Sequence, residues 1–149
     1  RTRKEPGAGS PFAALLAANE DEANLILHRG AHCFVILNNS PYNPGHLMVL
    51  PNREVGELAE LTATERAEMM DLLVRCQAVL QKVMSPAGFN MGLNLGKAAG
   101  AGIPTHLHFH IVPRWEGDHN FMPVIGDTRV LPQALAELWA RLKPVFAAA

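Results

Sequence analysis

Cysteine is scarce in this chain: two residues in 149, Cys33 and Cys76, far apart and in different predicted elements. That number excludes a disulfide-stapled scaffold, and a cysteine-based metal site would need ligands from elsewhere. Net charge is nearly absent too. Thirteen Lys and Arg against fourteen Asp and Glu leave −1, so no global positive field exists to hold nucleic acid by its phosphates. A local site for a small phosphate ligand stays open. The apolar runs fall far short of the ~20 residues a membrane span needs. Pro6-Gly7-Ala8-Gly9-Ser10-Pro11, following the basic first four residues, breaks any signal-peptide core. These absences predict a cytoplasmic protein with neither nucleic acid nor membrane as partner.

What is present fills one domain. A hydrophobic fraction of 48% with 18% charged residues can build a core in a chain of this length. Residues 1–9 read as a flexible leader and 10–149 as a single domain without internal repeats. Ser10 caps a short helix that has Pro11 in its first turn. Leu25–His28 and His32–Leu37, parted by Arg29-Gly30, read as a hairpin. Turn formers then fill 38–45, and His46–Leu50 is a third strand. Thr62 with Glu65 is a capping box for a long helix, with apolar positions at Ala67, Met70, Leu73, Val74, Cys76, Leu80 and Val83 and an end near Met84. Phe89–Leu95 alternates as a strand does. Gly96–Gly102 is a Gly/Ala loop, Thr105–Val112 a strand closed by Pro113, and Ala134–Phe146 a helix. The pattern predicts an α+β fold: an antiparallel sheet of about five strands with one long helix and short terminal helices.

Seven histidines are present, and three fall within five residues: His106-Leu107-His108-Phe109-His110-Ile111-Val112. On a strand, alternate residues share a face, so the imidazoles line one side and Leu107, Phe109 and Ile111 the other. Three readings of that row compete. It could be a structural or solvent-facing face. It could hold a metal, although with ~3.3 Å rise per residue the outer pair stand roughly 13 Å apart, too far for three flat-strand ligands to converge comfortably. It could be a nucleophilic site for phosphorus. A neutral imidazole needs no activating base, a neighbouring histidine can serve the leaving oxygen, and the glycine loop just upstream offers backbone N–H donors.

The run His-Leu-His-Phe-His-Ile-Val resembles the signature of the histidine triad family. The likeness extends to Asn38–Pro51, a strand-turn-strand, and to Gly92-Leu93-Asn94-Leu95-Gly96, so it covers most of the chain. The stretch Pro113–Pro123 is similar to the branch that cleaves dinucleoside polyphosphates. The resemblance implies a nucleotidyl hydrolase or transferase acting through a covalent nucleotidyl-histidine adduct, built as a homodimer. It implies His108 as nucleophile, His110 at the scissile phosphate and leaving group, and His106 as a buttress. It implies Asn38 at the ribose, Asn94 and the amides of Gly100, Ala101 and Gly102 at the phosphate, and His46 near the site. Structural alternatives stand beside these: Asn38 as a turn former, Asn94 as a strand-end polar residue, His46 as a packed, hydrogen-bonded residue.

Two departures from the family pattern matter. Many relatives bind zinc through a cysteine pair, a further histidine and the first triad histidine. Here Ser10, Ala13 and Glu54 occupy the other three positions, so neither metal nor cofactor is expected. Three residues before the triad, relatives often carry a hydroxyl; this chain has Ile103. Diadenosine tri- or tetraphosphate is the substrate this resemblance suggests. The alternatives are a nucleoside phosphoramidase and a nucleotide-binding signalling module with incidental chemistry.

Overall fold

Strands β2 (Cys33–Leu37) and β3 (Leu47–Pro51) are buried on both faces, which is why their sequences read as unbroken apolar runs. The computed structural model describes residues 9–118 and 132–148; most of the expected leader and residues 119–123 of the similar stretch lie outside them. With β1 (Ile26–Arg29), β4 (Gly88–Gly92) and β5 (Phe109–Arg114), these strands form an antiparallel sheet in the order β1-β2-β3-β5-β4. One face packs on helices α2 (Ala63–Met84) and α3 (Pro132–Ala148) through Val35, Leu47, Val49, Leu73, Leu80, Ile111 and Leu142, among others. The opposite face carries Ile36, Met48 and Leu50 beneath the short helix α1 (Pro11–Ala17) and its Phe12. The expected α+β class and five-stranded sheet are the observed ones.

Local signals account for the ends of the elements. Ser10 caps α1 with Pro11 at its first turn, and both arms of the Thr62–Glu65 capping box are made at the start of α2. Several details differ from the sequence reading. Met70 and Val74 are 59% and 61% exposed and Ala67 is exposed as well; the buried face is Met69, Leu72, Leu73, Cys76, Val79 and Leu80, one residue round the helix. Strand β4 stops at Gly92 and leaves Leu93–Leu95 outside the ladder. The C-terminal helix is 17 residues long rather than short. Its Trp139 and Lys143 donate to the carbonyls of Ile26 and Leu27, covering the outer edge of β1.

Strand β5 also starts later than expected, at Phe109, and runs through Pro113. The backbone N–H groups of His106 and Leu107 are spent on the carbonyls of Ile103 and Val55, so the chain joins the ladder only beyond them. Pro113 is tolerated because β3 pairs with β5 no further than Ile111. The Pro113 carbonyl, on the side away from β4, accepts from Asn43 Nδ2 at 2.9 Å. The N–H that proline lacks would have faced that same unpaired side.

Candidate active site

The register Met48↔His110 and Leu47↔Ile111 sets His110 on the α1 face of the sheet and Ile111 among the helices. Leu107 and Ile111 are in the helix-side core, and Phe109 packs against it, as the alternation predicts. Each histidine has a distinct set of partners, and those partners fix where its proton sits.

His106 is fully buried. Its Nε2 lies 2.8 Å from the Pro51 carbonyl, which can only accept, so Nε2 carries the hydrogen. Its Nδ1 is then an acceptor and takes the hydroxyl hydrogen of Ser10 at 2.6 Å. His108 is half-buried, with Nδ1 2.9 Å from the His106 carbonyl. The same logic puts a hydrogen on Nδ1 and leaves the Nε2 lone pair unshared.

The third histidine is set from further back. The Tyr42 amide donates to His46 Nδ1 at 3.1 Å, so neutral His46 bears its hydrogen on Nε2. That nitrogen lies 2.8 Å from His110 Nδ1, making His110 the acceptor there and a donor at Nε2. Burial pushes the His46 imidazole down to about 4, with the neighbouring His110 and His108 adding to the effect. Burial and then His108 lower His110 as well. Burial lowers His106, against the opposing pull of the Pro51 carbonyl and Glu54. All three stay neutral at pH 7, which keeps this pattern of donors and acceptors intact.

His108 and His110, with ring centroids 4.9 Å apart, open into a cleft of about 580 Å³. Its lining is mostly apolar, with Phe12, Leu15, Leu25, Ile36, Met48 and Ile103, and Asn38 is among its polar residues. Phe12 packs against His108 at 5.2 Å between ring centroids. Among the described residues, nothing bonds Nε2 of either His108 or His110. One atom able to attack and one able to donate therefore face the same space. A larger cavity lies elsewhere, but Glu54, Glu57 and Glu60 line it, a poor setting for phosphate.

The structure gathers some of the residues singled out in the sequence and not others. His106 and His108 form one bonded pair and His46 and His110 another, and the two pairs meet where the His108 and His110 rings pack edge to face. His46 is buried behind His110, away from the cleft wall. Asn38 lines the cleft, and its Oδ1 accepts the Ser40 amide at 2.8 Å, so it is also a turn former. Its Nδ2 lies 3.5 Å from both ring nitrogens of His46. In the glycine loop, the Gly100 and Ala101 amides donate to the Lys97 and Gly96 carbonyls, so two of the three expected donors are used within the loop. Gly102 lines the cleft; Asn94 is exposed and outside that lining. Sequence reasoning missed Phe12 as a neighbour of the row, and it set Ser10 near His106 only through the family's zinc pattern, not as a hydrogen-bond partner. Nothing in their spacing announces a contact across some ninety residues.

The zinc positions of the family do not suit a metal here. Both ring nitrogens of His106 are engaged. The Ser10 hydroxyl also accepts the Ala13 amide, and Ala13 offers no side-chain donor. Glu54 instead receives the Ser10 amide and the Thr105 hydroxyl. Among the described residues, no group of three His, Cys, Asp or Glu could hold a metal.

Known proteins resemble this chain in sequence and in fold. The AP-4-A phosphorylase of Mycobacterium tuberculosis is 48% identical over 128 residues, 81% of this chain and 66% of that protein. The asymmetrical bis(5'-nucleosyl)-tetraphosphatase of Schizosaccharomyces pombe is 34% identical over 93 residues, 62% of this chain and 50% of that one. The chain thus spans half to two thirds of the length of these relatives. A hypothetical histidine triad nucleotide-binding protein from Sulfolobus tokodaii superposes with a TM-score of 0.79 over 93% of each chain, at 20% identity, a likeness of fold. The HIT domain matches residues 18–117, and by that match the chain belongs to the HIT family, the family of the histidine triad.

Proposed function

We propose that this protein is an enzyme that cleaves dinucleoside polyphosphates of the diadenosine tri- or tetraphosphate type, at the α-phosphate, through a nucleotidyl adduct on His108. The observation that carries this is the pair of complementary nitrogens in one cleft: a lone pair at His108 Nε2 and a hydrogen at His110 Nε2. The names of the relatives support the substrate class.

In this reading, a nucleoside lies along the apolar wall of Phe12, Leu15 and Ile36 with its ribose towards Asn38. The Nε2 lone pair of His108 attacks the α-phosphorus, and the bond to the bridging oxygen breaks. The electron pair leaves with the polyphosphate. The positive charge on the His108 ring is shared with the His106 carbonyl through Nδ1–H. His110, neutral, supplies a hydrogen bond to the leaving oxygen rather than a full proton. Polyphosphate is a good leaving group and needs no more. A phosphoramidate's amine must be protonated as it departs, which favours the dinucleotide over the phosphoramidase reading. Water or inorganic phosphate then attacks the adduct and frees His108.

The reading includes a homodimer: β4 pairs only with β5 among the described strands, and Met70 and Val74 stand exposed on α2. It includes the cytoplasm, where the unbridged thiols of Cys33 and Cys76 suit a reducing milieu. The test is chromatographic analysis of the products from diadenosine tri- and tetraphosphate, with and without phosphate, alongside acid quenching of a single turnover. The expected result is nucleotide bound covalently to His108. A bound nucleotide without any adduct, or an adduct on another residue, overturns the proposal.

A further inference from the structure

We propose that Ser10 is a positioning residue for the histidine row, its hydroxyl fastening helix α1 to His106. Ser10 is fully buried, unlike an ordinary surface cap, and its polar atoms are committed in three directions. Its amide donates to Glu54 Oε2 at 3.0 Å. Its Oγ accepts the Ala13 amide at 3.1 Å, which caps α1. Its single hydroxyl hydrogen goes to His106 Nδ1 at 2.6 Å. The direction of this last bond is settled by the Pro51 carbonyl, which holds the other ring nitrogen as a donor. Glu54 closes the clasp from the far side, because its Oε1 accepts from Thr105, the neighbour of His106.

The clasp bears on reactivity because His106 is bonded onward. Its carbonyl holds His108 Nδ1–H, so the orientation of the attacking imidazole depends on where the His106 backbone sits. Phe12, two residues after Ser10, packs against the rings of both His106 and His108 and lines the cleft. One hydroxyl thereby sets the cap of α1, the seat of His106 and the placement of the Phe12 wall. Ser10 does not touch the cleft; it acts through His106.

The activity readout rests on the proposed nucleotidyl transfer; a spectroscopic readout does not. Glycine is a competent helix cap but has no hydroxyl, whereas threonine keeps both functions. With diadenosine tetraphosphate as substrate, Ser10→Gly should lower kcat about tenfold and move KM less than about threefold, the scale of a buried acceptor left without its donor. Ser10→Thr should stay within about threefold of the parent in kcat. Nitrogen-15 spectra of the substrate-free full chain should show His106 protonated at Nε2 and His108 at Nδ1. Ser10→Gly should shift the His106 Nδ1 resonance. A Ser10→Gly protein with parental kcat overturns the proposal, as do equal losses in the glycine and threonine variants. So does a parental spectrum with His106 protonated at Nδ1, a measurement that needs neither a folded variant nor turnover. Absence of turnover in the parent with both tautomers as stated would count against the proposed reaction and leave the clasp standing.

Discussion

His46 Nε2 donates to His110 Nδ1 across 2.8 Å, and the Tyr42 amide behind His46 fixes the direction of that bond. A backbone amide in the turn before β3 therefore determines which nitrogen of His110 presents a hydrogen to the cleft. His46→Ala would leave His110 Nδ1 without its donor and free the ring to take the other tautomer. We expect kcat to fall roughly 10- to 100-fold, the range for a buried group left unsatisfied, with KM little changed. His46→Gln, with an oxygen for the Tyr42 amide and an N–H for His110, should recover part of the loss. Steady-state kinetics on the three proteins decide it, and a change confined to KM would place His46 in binding instead.

Stability should decline on mild acidification. The folded chain holds His46 at about 4, below its ordinary 6.5, whereas the unfolded chain binds a proton as the pH falls through 6.5. Between those values the unfolded state carries more protons, so stability is complete above 6.5 and lost progressively towards 4. His46 alone contributes on the order of 3 kcal/mol across that window, and the lowered His106 and His110 act in the same direction. Urea denaturation at pH 7.5, 5.5 and 4.5 should trace the loss, and His46→Gln should flatten it. A pH-independent midpoint would show that these imidazoles are not held neutral.

Ribose recognition has a separate test. Asn38 Oδ1 is partly occupied by the Ser40 amide, but carbonyl oxygens accept twice, and Asn38 lines the cleft. Asn38→Ala should weaken ribonucleotides about three- to tenfold, a neutral hydrogen bond's worth, and leave 2′,3′-dideoxy analogues nearly unaffected. Calorimetric titration with both ligands checks it. Equal weakening would identify Asn38 as a turn residue only.

Elemental analysis of the purified protein should find no stoichiometric zinc, and a chelator should not change the thermal midpoint. Both nitrogens of His106 are already bonded. One zinc per chain would require that arrangement to be taken apart.

Much of this was legible in the sequence, because it depends on local chemistry. The capping box at Thr62, the cap at Ser10 and the sidedness of Leu107 and Ile111 follow from residue type and spacing. The late start of β5 was not legible. It depends on the carbonyls of Ile103 and Val55 claiming two amides, one of them some fifty residues away in sequence. The misplaced face of α2 has a similar cause: the helix has apolar residues at adjacent positions, Met69-Met70 and Leu73-Val74, and only the position of the sheet decides which are covered. The row's internal wiring was out of reach for a further reason. Whether an imidazole nitrogen donates or accepts is set by partners such as Pro51 and Tyr42, whose proximity is a product of the whole fold.

Gly45 makes one such approach possible. Its backbone lies in the left-handed region at φ +86°, and a Cβ there would sit 2.7 Å from Met84 Sδ, so the chain turns hard against the end of α2 just before His46, and β3 begins one residue later at Leu47.

The covering of β1 by α3 has a consequence for assembly. With Trp139 and Lys143 occupying that flank, the described sheet has a single margin open to backbone pairing, at β4. Two copies joined there by a two-fold axis exhaust each other's open margin. In the proposed homodimer, growth along the described sheet would therefore end at a pair.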